Sequence, residues 1–129
     1  MLYTERLAHA PTSASAARRA VERLDGRVDR ETLDNLRLLV SEVVSNAVEH
    51  VAADGEITLQ ISLEADRVRV EVVDAGPGFV HRPRRPGDHK GSGWGLHFVS
   101  LLATDWGADA DDASRVWFEL PTRVHARRA

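Results

Sequence analysis

Three short stretches of the 129-residue chain contain the residues best suited to chemistry. The first, at 42–50, reads Glu-Val-Val-Ser-Asn-Ala-Val-Glu-His and supplies carboxylate and amide oxygens, the ligands that a hard cation prefers. The second, Asp-Ala-Gly-Pro-Gly at 74–78, sets an isolated acid beside a tight glycine turn. The third, Gly-Ser-Gly-Trp-Gly-Leu at 91–96, opens a helix whose free backbone N–H groups can hold phosphates. Each pattern arises often by chance, but their order and spacing together predict a nucleotide-binding site.

The three stretches resemble the N, G1 and G2 boxes of the GHKL superfamily of ATP-binding domains (Bergerat fold, HATPase_c), which includes the catalytic domains of histidine kinases. Within it, the chain is most similar to the stand-alone bacterial anti-sigma-factor serine/threonine kinases. The similarity covers nearly the whole chain. It includes an opening strand, the run 11–24 with Ala-Ala-Arg-Arg, Asp-Trp-Gly at 105–107 and Val-Trp-Phe-Glu-Leu at 116–120. The resemblance implies a Bergerat fold that binds ATP and Mg²⁺.

Two residues of the first stretch take roles from this resemblance. Glu42 and Asn46 are four residues apart, so they share one face of the predicted helix. Asn46 matches the Mg²⁺ ligand, whose side-chain oxygen completes a shell of phosphates and waters. Glu42 matches the acidic residue that serves as general base and accepts a proton from the attacking hydroxyl or water. The residues alone also allow a helix-surface amide and a solvated glutamate.

The resemblance assigns the adenine and the phosphates of ATP to the other two stretches. Asp74 would accept a hydrogen bond from the exocyclic amino group of adenine, because an ionised carboxylate only accepts. Gly76 and Gly78 would let the backbone turn beneath the base without a Cβ. The phosphates would lie at the helix start, which contains Gly91, Gly93, Gly95 and Leu96. By themselves these residues also fit a surface turn and a flexible linker.

Length and composition narrow the class of protein. A chain of 129 residues fits one domain, which we expect at 1–123, followed by a flexible basic tail at 124–129. A formal net charge of -3 argues against binding to nucleic acid. The absence of cysteine excludes disulfides and thiolate metal sites. No apolar run approaches the roughly 20 residues of a membrane span, and no secretory signal opens the chain, so we expect a cytoplasmic protein.

Hydrophobic periodicity predicts the elements that position the three stretches. Leu2 to Ala8 reads as a strand, and Thr12 or Ser13 is expected to cap the following helix. Apolar residues then recur at helical spacing from Glu31 to Val51, which carries the first stretch. Further along, the pattern predicts strands at 57–63 and 68–72, a loop at 79–90 that matches the ATP lid, a helix at 95–104 and a strand at 114–120. This order predicts an α+β fold, a two-layer sandwich with three main helices on one face of a mixed, mostly antiparallel sheet.

The resemblance implies a regulatory kinase. Such relatives bind a sigma factor and transfer the γ-phosphate of Mg-ATP to a serine or threonine of an antagonist protein of the anti-anti-sigma class. Two alternatives remain open, a non-catalytic module that binds a partner in one nucleotide state and a detached histidine-kinase catalytic domain. The presence of Glu42 favours the kinase. Relatives of this kind often form homodimers, and neither nucleic acid nor a membrane is an expected partner.

Overall fold

The computed structural model describes residues 1–8, 10–50, 56–74, 94–109 and 114–123, with the backbone alone at 49–50, 74, 94–97, 109 and 114. In chain order the elements are β1 (Leu2–Leu7), α1 (Ser13–Val21), α2 (Arg30–His50), β2 (Ile57–Leu63), β3 (Arg67–Asp74), α3 (Trp94–Leu102), β4 (Asp105–Asp109) and β5 (Ser114–Pro121). A 3₁₀ turn, Glu22–Leu24, follows α1. The predicted lid at 79–90 and the predicted tail at 124–129 lie outside the described residues. None of the described helices has the length and apolar character needed to cross a membrane.

The five strands form one sheet in the order β1-β2-β3-β5-β4, and every described pair of neighbours is antiparallel. Register identifies the two ends of this sheet. At one end, β3 finishes at Asp74, which pairs with Ile57 and Ser114. At the other end, which we call the hairpin end, β3 begins at Arg67 opposite Pro121. The sheet therefore has a defined axis along which the helices can be located.

Alternation along the strands separates a helix-facing side from an outer side. On the helix-facing side the central strands bury Ile57, Leu59, Ile61, Val68, Val70, Val72, Phe118 and Leu120. These side chains form a single core with the apolar residues of α1 and α2. Burying the apolar face of a sheet against helices is the arrangement that period-2 strands and period-3.6 helices favour together. The predicted α+β sandwich with three helices on one face is confirmed.

The outer side of the sheet is covered by its own side chains. Arg69 lies 4.1 Å from the centre of the Trp117 ring and 3.2 Å from the carboxylate of Glu119. The indole of Trp117 extends over Gly107 of β4, where a Cβ would lie 2.5 Å from the indole nitrogen. Glu119 is consequently only 15% exposed on a face with no second described layer. A glycine at 107 is what permits this flat packing.

The first two helices differ in how their N-termini are capped. Thr12 is the N-cap residue of α1, but its side chain makes no capping hydrogen bond. Ser13 instead donates its hydroxyl to the carbonyl of Ala8, so the predicted side-chain cap of α1 is wrong. The second helix does have one, because the backbone N–H of Thr32 donates to Asp29 Oδ1 at 2.9 Å. Asp29 therefore defines where α2 begins.

A set of hydrogen bonds ties this beginning of α2 to the hairpin end of the sheet. We call it the hairpin-end cluster, and it consists of Asp29, Thr32, Ala65, Asp66, Pro121 and Thr122. The Thr32 hydroxyl donates to the Pro121 carbonyl at 2.8 Å, and the Asp29 N–H donates to the Thr122 carbonyl at 2.9 Å. Thr122 in turn donates its hydroxyl to Ala65 and its N–H to Asp66, both at 3.1 Å. The cluster fixes the position of α2 along the sheet.

Most predicted elements are present with small changes in their bounds. The α1 helix is shorter than the periodic run and ends in the 3₁₀ turn, while β5 continues to Pro121. The sheet, predicted as mixed and mostly antiparallel, is antiparallel at every described pairing. The strand β4 was not predicted from the sequence, because Asp-Trp-Gly-Ala-Asp shows no apolar alternation. An edge strand with one hydrogen-bonded neighbour depends less on such a pattern than a central strand does.

Candidate functional site

The two candidate residues of the first stretch lie in the second half of α2. Glu42 and Asn46 are both half-buried. In the part of the chain that the structure describes, neither side chain makes a hydrogen bond or an ion pair with any other residue. Polar side chains that are half-buried within a protein are usually hydrogen-bonded, to protein or to water. Among the described residues, these two side chains therefore have no partner that a ligand would have to displace.

One flank of α2 packs against α1. Arg18 Nη1 donates to Ser41 Oγ at 2.5 Å, and Arg37 Nε donates to Glu22 Oε2 at 2.6 Å. Arg37 also donates from Nη2 to Glu22 Oε1 at 2.7 Å, and these bonds hold the pKa of the Glu22 carboxyl below its ordinary value. The two arginine bridges therefore fix which face of α2 is turned towards α1.

The opposite flank of α2 follows from helical geometry. Leu39, Val43 and Asn46 have the spacing i, i+4, i+7, so they form a stripe on the side away from Arg37 and Ser41. Leu39 and Val43 are buried, and α3 packs against α2. Because α1 and the sheet cover the other sides of α2, we infer that this stripe contacts α3. Asn46 thus continues an apolar seam between α2 and α3.

The hairpin-end cluster sets a common origin for measuring along the molecule. Thr32 bonds to Pro121, and Pro121 pairs with Arg67 at the start of β3. From Thr32, α2 reaches Asn46 after about 21 Å, at about 1.5 Å per residue. From Arg67, β3 reaches Asp74 after about 24 Å, at about 3.4 Å per residue. Asn46 and the backbone of Asp74 therefore lie at the same end of the sandwich, which we call the site end.

The third helix leads to the same end. Just beyond α3, Thr104 donates both its N–H and its hydroxyl to the Glu119 carbonyl, at 2.9 and 3.0 Å. Glu119 lies in the hairpin half of β5, whereas Ser114 lies opposite Asp74. The helix packs on α2 and β4, so it extends along the sheet and its first residue, Trp94, lies towards the site end. Four features therefore converge there: Glu42, Asn46, position 74 and the start of α3.

The predicted binding set is only partly within the described residues. Gly95 and Leu96 lie in the first turn of α3, which begins at Trp94, one residue before the predicted start. Gly76, Gly78, Gly91 and Gly93 lie outside the described residues. The roles assigned to all of these residues stay predictions.

One feature of the site was not anticipated from sequence. Leu39, which was not singled out from the sequence, is fully buried and begins the stripe that leads to Asn46. Its signal was present in the spacing from Leu39 to Val43 and Asn46, which continues one helical stripe past the apolar residues into the amide. A polar residue at the end of an apolar stripe indicates a site at a helix seam.

The donor chemistry of these side chains fits a magnesium-nucleotide. An amide oxygen is a hard ligand, and Mg²⁺ usually takes one or two protein ligands, with the remainder supplied by phosphates and waters. Asn46 has no other described partner that would have to be displaced. A carboxylate one helical turn away, Glu42, can accept a proton. The end of the sandwich therefore suits metal-assisted phosphate chemistry.

Comparisons with known proteins agree with this geometry. The model of the histidine kinase-like ATPase domain family matches residues 6–118. Among solved structures, the catalytic domain of histidine kinase ThkA superposes with a TM-score of 0.54 at 14% identity, covering 94% of this chain and 98% of that one. At that identity the likeness concerns the fold alone.

Among curated proteins, the chain is similar to several serine-protein kinases named RsbW. The protein from Listeria innocua is 34% identical over 58 residues, which is 43% of this chain and 37% of that protein. The protein from Oceanobacillus iheyensis is 27% identical over 89 residues, which is 58% of this chain and 56% of that protein. The chain thus spans between about a third and about half of the length of these relatives. On the family match across 6–118, the chain belongs to the histidine kinase-like ATPase domain family.

Proposed function

We propose that this domain binds Mg²⁺-ATP at the site end and transfers the γ-phosphate to a serine or threonine of a protein substrate, as an anti-sigma-factor-like regulator. The observation that carries the proposal is the pair Glu42 and Asn46 on α2, half-buried and without described partners, with Asn46 level with the backbone of Asp74. Membership of the ATPase family supports the nucleotide. Similarity to proteins named serine-protein kinase supports the acceptor.

Each proposed contact uses the chemistry of one group. The Asn46 side-chain oxygen would ligate Mg²⁺, and the metal would neutralise phosphate charge. The Asp74 carboxylate would accept the adenine amino group, while Gly76 and Gly78 keep the turn beside it free of side chains. Backbone N–H groups at Gly91, Gly93, Gly95 and Leu96 would bind the phosphates at the positive end of α3.

Glu42 would act as the general base. In the transfer step, a bond forms between the acceptor hydroxyl oxygen and the γ-phosphorus, and the bond from the γ-phosphorus to the bridging oxygen of ADP breaks. The hydroxyl proton passes to the Glu42 carboxylate. Positioning of the two oxygens supplies most of the rate in reactions of this class, and the base adds to it. A half-buried carboxylate without a described partner, one helical turn from the proposed metal ligand, favours transfer over nucleotide binding alone.

The proposed partners follow the relatives. A sigma factor and an antagonist of the anti-anti-sigma class would bind the same domain, 1–123, and the basic residues at 124–129 would form a tail outside it. A homodimer is the proposed assembly, and the cytoplasm is the proposed location. These points rest on resemblance to the serine-protein kinases, which share 27% and 34% identity over parts of their length.

Calorimetric titration tests the proposed site. We expect saturable binding of ATP that strengthens with Mg²⁺ and exceeds the binding of GTP. Asn46→Ala should remove the strengthening by Mg²⁺, and Asp74→Asn should weaken ATP while leaving the thermal midpoint nearly unchanged. Asn35→Ala is the matched control, because Asn35 is a second half-buried asparagine of α2, about 16 Å nearer the hairpin end. No binding at millimolar ATP, or equal losses from Asn35→Ala and Asn46→Ala, would contradict the proposal.

A further inference from the structure

The third helix has few fully buried side chains among those that the structure describes. It has nine residues and packs against α2 and β4. Among its described side chains, those at 98–102, only Val99 is fully buried, at 0% exposure. Phe98 and Leu102 are partly buried, and Leu101 is 65% exposed. A helix this short is not stable alone in water, so packing determines where it lies.

Val99 lies on the helix that packs against α2, and it belongs to the protein core, which also contains Leu39 and Val43 of the α2 stripe that leads to Asn46. We infer that Val99 is a positioning residue, which sets the distance of α3 from the Asn46 flank of α2. This inference rests on the proposed function, in which Mg²⁺-ATP is held between the start of α3 and Asn46. Val99 touches neither nucleotide nor metal and acts through the helix.

The elements differ in how firmly they are held. The α2 helix is bound by the hairpin-end cluster and by arginine bridges to α1 and the 3₁₀ turn, and the strands are bound by continuous ladders. When a buried side chain is truncated, the cavity closes wherever the surroundings can move. At position 99 the element that carries the truncated side chain is α3, and we expect α3 to shift. A displacement of about 1 Å is enough to impair a site that depends on exact geometry.

The test compares two valines that are equally buried. Val99→Ala truncates the proposed anchor, and Val68→Ala truncates a residue at 0% exposure at the hairpin end of β3. Calorimetric titration with Mg²⁺-ATP should give a Kd raised about tenfold for Val99→Ala, equivalent to the loss of one good hydrogen bond, and within about twofold of the unmodified protein for Val68→Ala. Both variants should lose thermal stability. Equal Kd values for the two variants would overturn the inference.

Val99→Thr separates shape from stability. Threonine has the same shape as valine, so α3 should keep its place and the Kd should stay within about twofold, although burial of the hydroxyl lowers the thermal midpoint. A Kd raised as much by Val99→Thr as by Val99→Ala would show that lost stability is the cause and would overturn the inference. Absence of ATP binding to the unmodified protein is a different result, because it would overturn the proposed function as well.

Discussion

The hairpin end and the site end of this domain differ in whether their polar side chains have hydrogen-bond partners among the described residues. At the hairpin end, Thr32 and Thr122 are buried, at 0% and 5% exposure, and each hydroxyl donates to a carbonyl. At the site end, Glu42 and Asn46 are half-buried and have no partner among the described residues. A buried polar group that has a hydrogen-bond partner stabilises the fold, whereas one without a partner does not. The first pair therefore stabilises the fold, and the second pair is the one that we propose binds a ligand.

The largest expected effect is at Glu42. Glu42→Gln keeps the size of the side chain but removes the proton acceptor, so phosphate release from ATP should fall about 10²–10⁴-fold. Because Glu42 has no described partner, the thermal midpoint and the affinity for ATP should change little. Radiolabelled ATP gives the rate, and calorimetry gives the affinity.

Glu31→Gln is the control for this variant, because Glu31 is an exposed acid in the first turn of the same helix. It should leave the rate unchanged. If Glu42→Gln turned over ATP as fast as the unmodified protein, Glu42 would not be the base. If Glu42→Gln instead lowered the thermal midpoint strongly, Glu42 would stabilise the fold, as the threonines at the hairpin end do.

At the hairpin end the expectation reverses. Thr32→Val preserves shape but deletes the donor to the Pro121 carbonyl, so unfolding in urea should become easier by about 1–3 kcal/mol. ATP affinity should not change, because the site lies about 21 Å along α2. Thr4→Val, at an exposed position of β1, should change stability by less than about 0.5 kcal/mol. If Thr32→Val were as stable as the unmodified protein, the hydrogen bond from Thr32 in the hairpin-end cluster would not contribute to the stability of the fold.

The contact between Trp117 and Gly107 on the outer face of the sheet is expected to stabilise the fold through packing rather than through hydrogen bonds. In Gly107→Ala, the new methyl group would lie 2.5 Å from the Trp117 indole nitrogen, so the ring must move and its stack with Arg69 must weaken. We expect a loss of about 1–3 kcal/mol in the free energy of unfolding, as for other overpacked sites. Ala108→Ser, at an exposed neighbouring position, is the control and should have little effect. Equal stability of Gly107→Ala and the unmodified protein would mean that the indole does not need the glycine.

Sequence patterns predicted the parts of the fold that repeat. Alternation in β2 and β3 and the apolar stripe of α2 gave these elements to within one or two residues. The cap of α1 was wrong, because a suitable residue at a helix start does not determine which acceptor its hydroxyl finds. The hairpin-end cluster was not predicted at all. Its hydrogen bonds join Thr32 to Pro121, residues distant in sequence, and local patterns contain no information about such pairs.

The candidate site was predictable in a different way. The acid and the amide at Glu42 and Asn46 were found from type and spacing, and the resemblance supplied their roles. That Asn46 is level with Asp74 depends on where α2 begins and on the register of β3, which are tertiary facts. The roles of Asp74 and of the glycines stay predictions. Sequence therefore identified candidate groups, while the topology brought the described ones to one end.

The smallest expected effect concerns the seam between α1 and α2, which belongs to neither end. Arg37 donates to both carboxylate oxygens of Glu22 and lowers the pKa of that carboxyl in the folded state. A carboxyl with a depressed folded-state pKa adds stability above its unfolded pKa and loses it as pH falls through the folded value. Both side chains are well exposed, so solvent screens the pair. Glu22→Gln should thus lower the thermal midpoint slightly near pH 7 and not near pH 2, without changing ATP affinity. A difference that persisted unchanged at low pH would show that shape, rather than charge, holds this seam.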